Sequence, residues 1–230
     1  MLDDALQSRP RVKNPYPDPD TARRMEMRRV PEPPVDLLSV QGSSPSAEAA
    51  RAATKAIHET WSLIRDAARN PEVDLKELTR VGEAALKRGL RAADGAAERI
   101  RQQIGHIDDQ IKTATQPSIT PQMAAEIRAF VRDDPKRATP LVREDARFAS
   151  AILSGPASLS GLDSSQFDTV RLAATAAHAS DQSARRREAE LALSAVEQAG
   201  TRVVAGLSSK LRTWAAATPV QLDKLREAAQ

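Results

Sequence analysis

The residue types that could do chemistry in this chain are three histidines, two adjacent carboxylate pairs, a few serines and glycines, and several arginine clusters. His58, His106 and His178 lie far apart. The run His58-Glu59-Thr60-Trp61 lacks the second histidine that a zinc-protease helix places one turn on. A zinc site needs three or four convergent ligands, so the spacing predicts no metal site. Asp108-Asp109 and Asp133-Asp134 fall in helical patterns, where consecutive side chains point apart, and neither pair makes an acid–base dyad by itself. Gly89, Gly95 and Gly105 have no preceding strand and no Gly-Lys-Ser/Thr, which excludes a phosphate loop. Ser158 and Ser160 sit in the run 155–161 without the strand–turn–helix setting or histidine partner of a nucleophile elbow, so this run reads as a corner. The absence of cysteine removes thiolate metal sites, disulfides and cysteine nucleophiles. The expectation is a non-enzymatic protein with no catalytic residues, no metal and no cofactor.

Arginine is the one chemistry-bearing type in excess. Arg185-Arg186-Arg187 falls mid-helix, and Lys87, Arg88, Arg91, Arg99 and Arg101 line the outer faces of another helix. Such rows could neutralise phosphates in a salt-sensitive, sequence-blind contact with nucleic acid. Acids interrupt both: Glu188 and Glu190 follow the triplet, and Glu83, Asp94 and Glu98 break the first row. No aromatic residues interleave to stack bases. Solvated faces or interface ion pairs are the favoured reading. Phosphate or acidic-partner contact through Arg185, Arg186 and Arg187 is the alternative.

The elements that would position these groups are helices. Leu86, Leu90, Ala93, Ala97, Ile100, Ile104, Ile107, Ile111 and Ala114 alternate at spacings of four and three, the mark of a narrow seam against a partner helix. A second repeat runs through Ala189, Leu193, Val196, Gly200, Val203 and Leu207, drifting to Leu211 and Trp214. Ser44-Pro45 starts a helix that ends at Asn70-Pro71, and Asp74-x-x-Glu77 is a capping box opening a helix over about 75–115. Thr120-Pro121 and Thr139-Pro140 start two short helices, the second closed by Gly155. Asp163-x-x-Gln166 is another capping box, and no proline follows until Pro219, so a single helix is expected over 164–217 and a short one after Thr218-Pro219. The predicted fold is all-α: an elongated bundle, residues 46–230, built on a long antiparallel coiled-coil-like hairpin with a short-helix insert at 120–155. Its seam residues are Leu86, Leu90, Ile100, Ile104, Ile107, Ile111, Leu193, Val196, Val203 and Leu207.

Residues 1–45 differ. They hold eight of the 15 prolines and balance seven basic against seven acidic residues. Proline fixes φ and removes a donor, so the stretch reads as an extended arm. Apolar anchors recur along it, chiefly Tyr16, Met25, Met27, Leu37 and Leu38, and the expectation is an arm draped over neighbouring subunits.

Composition supports a partner-dependent protein. Of 230 residues, 40% are hydrophobic but only 3% aromatic, and alanine, which supplies much of the apolar count, buries little surface. Such a chain packs thinly, with part of its burial expected from other chains. The net charge of +3 is spread over interleaved acids and bases. No apolar run approaches the ~20 residues that span a bilayer, and the start lacks a basic and then apolar leader, so a soluble protein without a membrane span is expected.

Residues 127–135 (Ile-Arg-Ala-Phe-Val-Arg-Asp-Asp-Pro) and 148–162, with the run Ala-Ile-Leu-Ser-Gly-Pro-Ala-Ser-Leu-Ser-Gly-Leu at 151–162, resemble segments of small helical proteins of tailed bacteriophages. The likeness covers about a quarter of the chain and carries over no site residues. It implies a virion or assembly protein at the capsid, head–tail junction or particle interior. Its partners would be other copies and other virion proteins, and its place the virion or otherwise the host cytoplasm.

Overall fold

The computed structural model describes residues 19–32 and 40–227 and is all-helical, with no strand among the described residues. In chain order the helices are α1 (Pro19–Arg28), α2 (Pro45–Arg69), α3 (Leu75–Thr115), α4 (Pro121–Asp133), α5 (Ala138–Glu144), α6 (Ala146–Leu153), α7 (Ser164–His178) and α8 (Ser180–Glu227). Short 3-10 turns at Pro135–Arg137 and Ala157–Ser160 link them.

Side-chain oxygens start these helices by accepting from N–H groups that have no partner within the first turn. Ser44 Oγ takes the Ala47 N–H at 3.2 Å, and Thr120 Oγ1 takes that of Met123 at 3.2 Å. Asp163 and Gln166 form the full reciprocal capping box, at 2.7 and 3.0 Å. At α3 only half the expected box forms. Asp74 caps the Glu77 N–H at 2.7 Å, but the Glu77 carboxylate turns to Arg80, at 2.6 and 2.7 Å, because an ion pair one turn on competes with the neutral N-cap N–H.

Three expected boundaries are corrected. The single helix over 164–217 is two, broken at Ala179 (φ −143°, ψ 35°), which is buried where one core gives way to another. No proline or glycine marks the break. The His178 ring, 2.6 Å from the Val142 carbonyl, holds the end of α7 against α5 while α8 sets off anew. The restart at Thr218-Pro219 is absent, and α8 runs on to Glu227; proline's fixed φ suits a helix and costs one hydrogen bond and a clash rather than compelling an end. The helix expected from Thr139 to Gly155 is interrupted at Asp145 (φ −144°, ψ 120°), whose carboxylate caps α6 by accepting from Arg147 N–H at 2.8 Å.

Two cores result. The larger lies among α2, α3 and α8. Contacts along α3 rise in number as those along α8 fall: Gly82 lies against Leu211 and Trp214, Ala93 against Gly200, Arg101 pairs with Glu197 and Asp108 with Arg186. The two therefore run in opposite directions. Helix α2 also opposes α3, with Thr60 against Gly89 and Ser46 Oγ bonded to Gln103. Two neighbours demand a wider buried face than one seam. On α3 it comprises Leu75, Leu78, Gly82, Ala85, Gly89, Ala93, Ala96, Ala97 and Ile100. Of the expected seam, Ile100, Val196, Val203 and Leu207 are buried, whereas Leu86, Leu90, Ile104, Ile107, Ile111 and Leu193 are half-buried. The isoleucines beyond Ile100 lose cover because α2 begins level with Gln103 and leaves α3 one neighbour fewer. The smaller core joins α4, α5, α6 and α7 through Val131, Val142, Ala149, Ile152, Val170 and Ala174.

Small residues let the large helices approach. A Cβ on Gly206 would stand 2.7 Å from the ring of Trp61, itself 2% exposed, whereas nothing lies within 4 Å of one on Gly95. Gly206→Leu is therefore expected to destabilise by about 1–3 kcal/mol or more through overpacking. Gly95→Ala should stabilise by roughly 0.5–1 kcal/mol through helix propensity. Urea unfolding followed by circular dichroism checks both signs.

Candidate interaction surface

The first surface is the stretch expected to reach a neighbouring subunit. Residues 19–32 instead lie on their own chain. Residues 19–28 are helical rather than extended, since Pro19 occupies the start of α1 and none interrupts it before Pro31. The Trp214 Nε1–H donates to the Met27 carbonyl at 2.9 Å, and the Trp61 Nε1–H to that of Pro31 at 2.7 Å. Arg28 donates to the carbonyls of Ala68 (2.9 Å), Asn70 and Val73 (2.7 Å), gathering carbonyls at the end of α2 and in the following turn, where helix ends leave backbone acceptors short of partners. Glu32 pairs with Arg65 at 2.9 Å, and Val30 is buried. Of the expected anchors, Met27 packs against the larger core and Met25 is 63% exposed; Tyr16, Leu37 and Leu38 lie outside the described residues. The roles of Arg28 and of the two indole N–H groups had no local signal, because their partners are backbone carbonyls distant in sequence.

The arginine triplet is split by helical geometry. Arg186 turns back onto its own chain, bonding Asp108 at 2.6 Å and Glu190 at 2.5 Å, and the hydrogen bond to Asp108 raises its already high pKa. Arg185 and Arg187 are exposed on other bearings. The triplet is thus one ion-pair member and two surface cations. The other sequence candidates do not converge. His106 faces Gln110 at 3.0 Å, His178 meets Val142, Asp108 is paired, and Asp134 pairs with Arg137 at 3.1 Å. Ser160 is buried with its hydroxyl unpartnered, and Ser158 is exposed. Among the described residues no group of three or more His, Asp or Glu side chains is placed to hold a metal ion, and no helix is long and apolar enough to cross a membrane.

The second surface is a groove of about 820 Å³ between α3 and α8, on the side away from α2. Leu90, Ala93, Ala97, Val196, Gly200 and Val204 form its floor and walls, and Asp94, Glu98, Arg101 and Glu197 edge it. Of the expected seam residues, Leu90 and Val196 thus face this groove rather than a covering helix. Elsewhere Leu63, Leu172 and Leu191 stand 55%, 72% and 73% exposed.

Comparison with family models, with curated proteins and with solved structures finds no match to this chain.

Two measurements check these contacts. Trp61 and Trp214 are the only tryptophans, so deleting residues 1–32 should red-shift the emission of both and lower the unfolding midpoint; unchanged emission would show that the strap does not hold them. The second concerns Asp145. The Arg147 side chain, and then its backbone N–H, hold the Asp145 carboxyl below its ordinary pKa of 3.8. A depressed folded pKa gives stability that is full above the ordinary value and lost as pH falls through the folded one. Asp145→Asn keeps a capping oxygen but loses the charge that Arg147 pairs, so its melting point should lie slightly below the wild type's near neutrality, and the two should converge as pH falls below 3.8.

Proposed function

We propose that this chain is a non-enzymatic structural protein that works by oligomerisation and protein–protein contact, with α3 and α8 as the coiled-coil-like hairpin spine of each protomer. The observation that carries the reading is the apolar groove between these helices. In a packed bundle a third neighbour covers both long helices on each side, and here α2 covers only one. The alanine-rich cores give each protomer little depth of burial, and the exposed leucines of α2, α7 and α8 add apolar surface that a second protein would cover. The resemblance of residues 127–162 to helical phage proteins extends the reading to a component of a virus particle.

Sedimentation velocity over a range of concentrations is the direct measurement. The expected result is a species heavier than the 24.9 kDa chain, and a monomer at every concentration would overturn the reading. Retention on a DNA column that collapses between low and moderate salt, and that Arg185→Ala with Arg187→Ala abolishes, would favour the nucleic-acid alternative. Mass spectrometry of purified particles tests the virion assignment.

A further inference from the structure

The rim of the α3/α8 groove carries a charge order that selects its occupant. One shoulder of α3 bears Glu83, Lys87, Leu90, Asp94, Arg101, Gly105, Asp108 and Lys112, spaced by three, four or seven residues and so aligned along the helix. Take a point between Ala97 and Glu98 and compare residues equidistant from it. Glu83 answers to Lys112, Lys87 to Asp108, Leu90 to Gly105, and Asp94 to Arg101. Each charged residue of these pairs meets its opposite, and the large apolar residue meets the residue with no side chain; Glu98, beside the centre, is the acid left facing its own mate. A helix with this pattern is complementary to its own reverse.

We infer that the groove is filled by α3 of a second copy, running antiparallel about a two-fold axis at Ala97–Glu98. The inference rests on the oligomeric reading above and names its surface. A two-fold interface uses the same patch on both chains, which is what a self-complementary row provides. Ala93, Ala97 and Gly200 leave the groove floor shallow enough for a helix backbone to approach. Gly105 fits the same row. It is exposed in mid-helix with nothing within 4 Å of where a Cβ would stand, and a glycine there costs about 1 kcal/mol against alanine. Gly95, on another bearing of α3, is equally free of neighbours, and what sets Gly105 apart is its place opposite the Leu90 side chain of a second copy. The charges already engaged stay engaged: Arg101 keeps Glu197 at 2.7 Å and Asp108 keeps Arg186 at 2.6 Å, each able to share a further partner. Glu98, nearest the axis, has Arg101 of its own helix at 4.0 Å to offset its approach to its symmetry mate. Flanking ion pairs of this kind set partner choice and orientation in helix pairs.

The natural absence of cysteine makes the test clean. Positions 83 and 112 are about 43 Å apart along one helix at 1.5 Å per residue, so no disulfide can join them within a chain. The full-length Glu83→Cys/Lys112→Cys variant should become a covalent dimer under mild oxidation, whereas Arg88→Cys, on the opposite shoulder, should not. Glu83→Lys and Lys112→Glu should each weaken self-association roughly tenfold. Mixing the two variants should restore it, because each then meets the opposite charge, and a rescue of this kind cannot come from misfolding. Wild-type chain that self-associates while neither the cross-link nor the charge exchange has an effect would overturn this face and leave the oligomeric reading standing. A wild-type monomer would overturn both.

Discussion

Two indoles hold the larger core together. Trp61 and Trp214 are among the few large side chains in an alanine-rich interior, and both are almost wholly buried. Each needs space and a hydrogen-bond acceptor. Glycine on the facing helix supplies the space, at Gly206 for Trp61 and at Gly82 beside Trp214. The acceptors are the carbonyls of Pro31 and Met27. Leaving a buried N–H unpaired costs on the order of 1–3 kcal/mol, so the strap at residues 19–32 completes the core. This single requirement ties the register of α2, α3 and α8 to the proline-rich start of the chain. It turns a stretch that reads as an arm reaching outward into one folded back on its own body.

Thin cores have a surface consequence. Alanine and glycine bring helix backbones close, but they exclude little water per residue, and three helices cannot cover both sides of the two longest. The groove between α3 and α8 is the area left over. Its charged rim is a surface feature in one protomer and becomes a matched set of pairs only when the same helix is laid against itself in reverse. The basic residues that suggest phosphate contact are divided by the same geometry: Arg186 and Arg101 are held by acids of a neighbouring helix, and their sequence neighbours point elsewhere.

Local chemistry was legible where the controlling atoms are close in sequence. The caps Ser44, Asp74, Thr120 and Asp163 start helices where expected, because a capping oxygen and its N–H are two or three residues apart. The three-and-four spacing of α3 marks a narrow stripe, whereas the buried face of that helix is wider and offset from it, since spacing gives the bearing of a stripe and not the number of neighbours it meets. The breaks at Ala179 and Asp145 and the continuation through Pro219 had weak or misleading local signals.

By itself, then, the sequence determined that the chain is helical, where most of its helices begin, and which faces are apolar. It also holds the self-complementary charge order of α3, written entirely in one helix. Tertiary structure decided what those faces meet. It set α2 on one side of α3 and α8 but not the other, drew Arg28 to three carbonyls more than 30 residues away, and bent the chain at an alanine. These outcomes depend on distances between groups remote in sequence, and the free energy of burying an indole or satisfying a distant carbonyl exceeds the small local preferences that sequence patterns report.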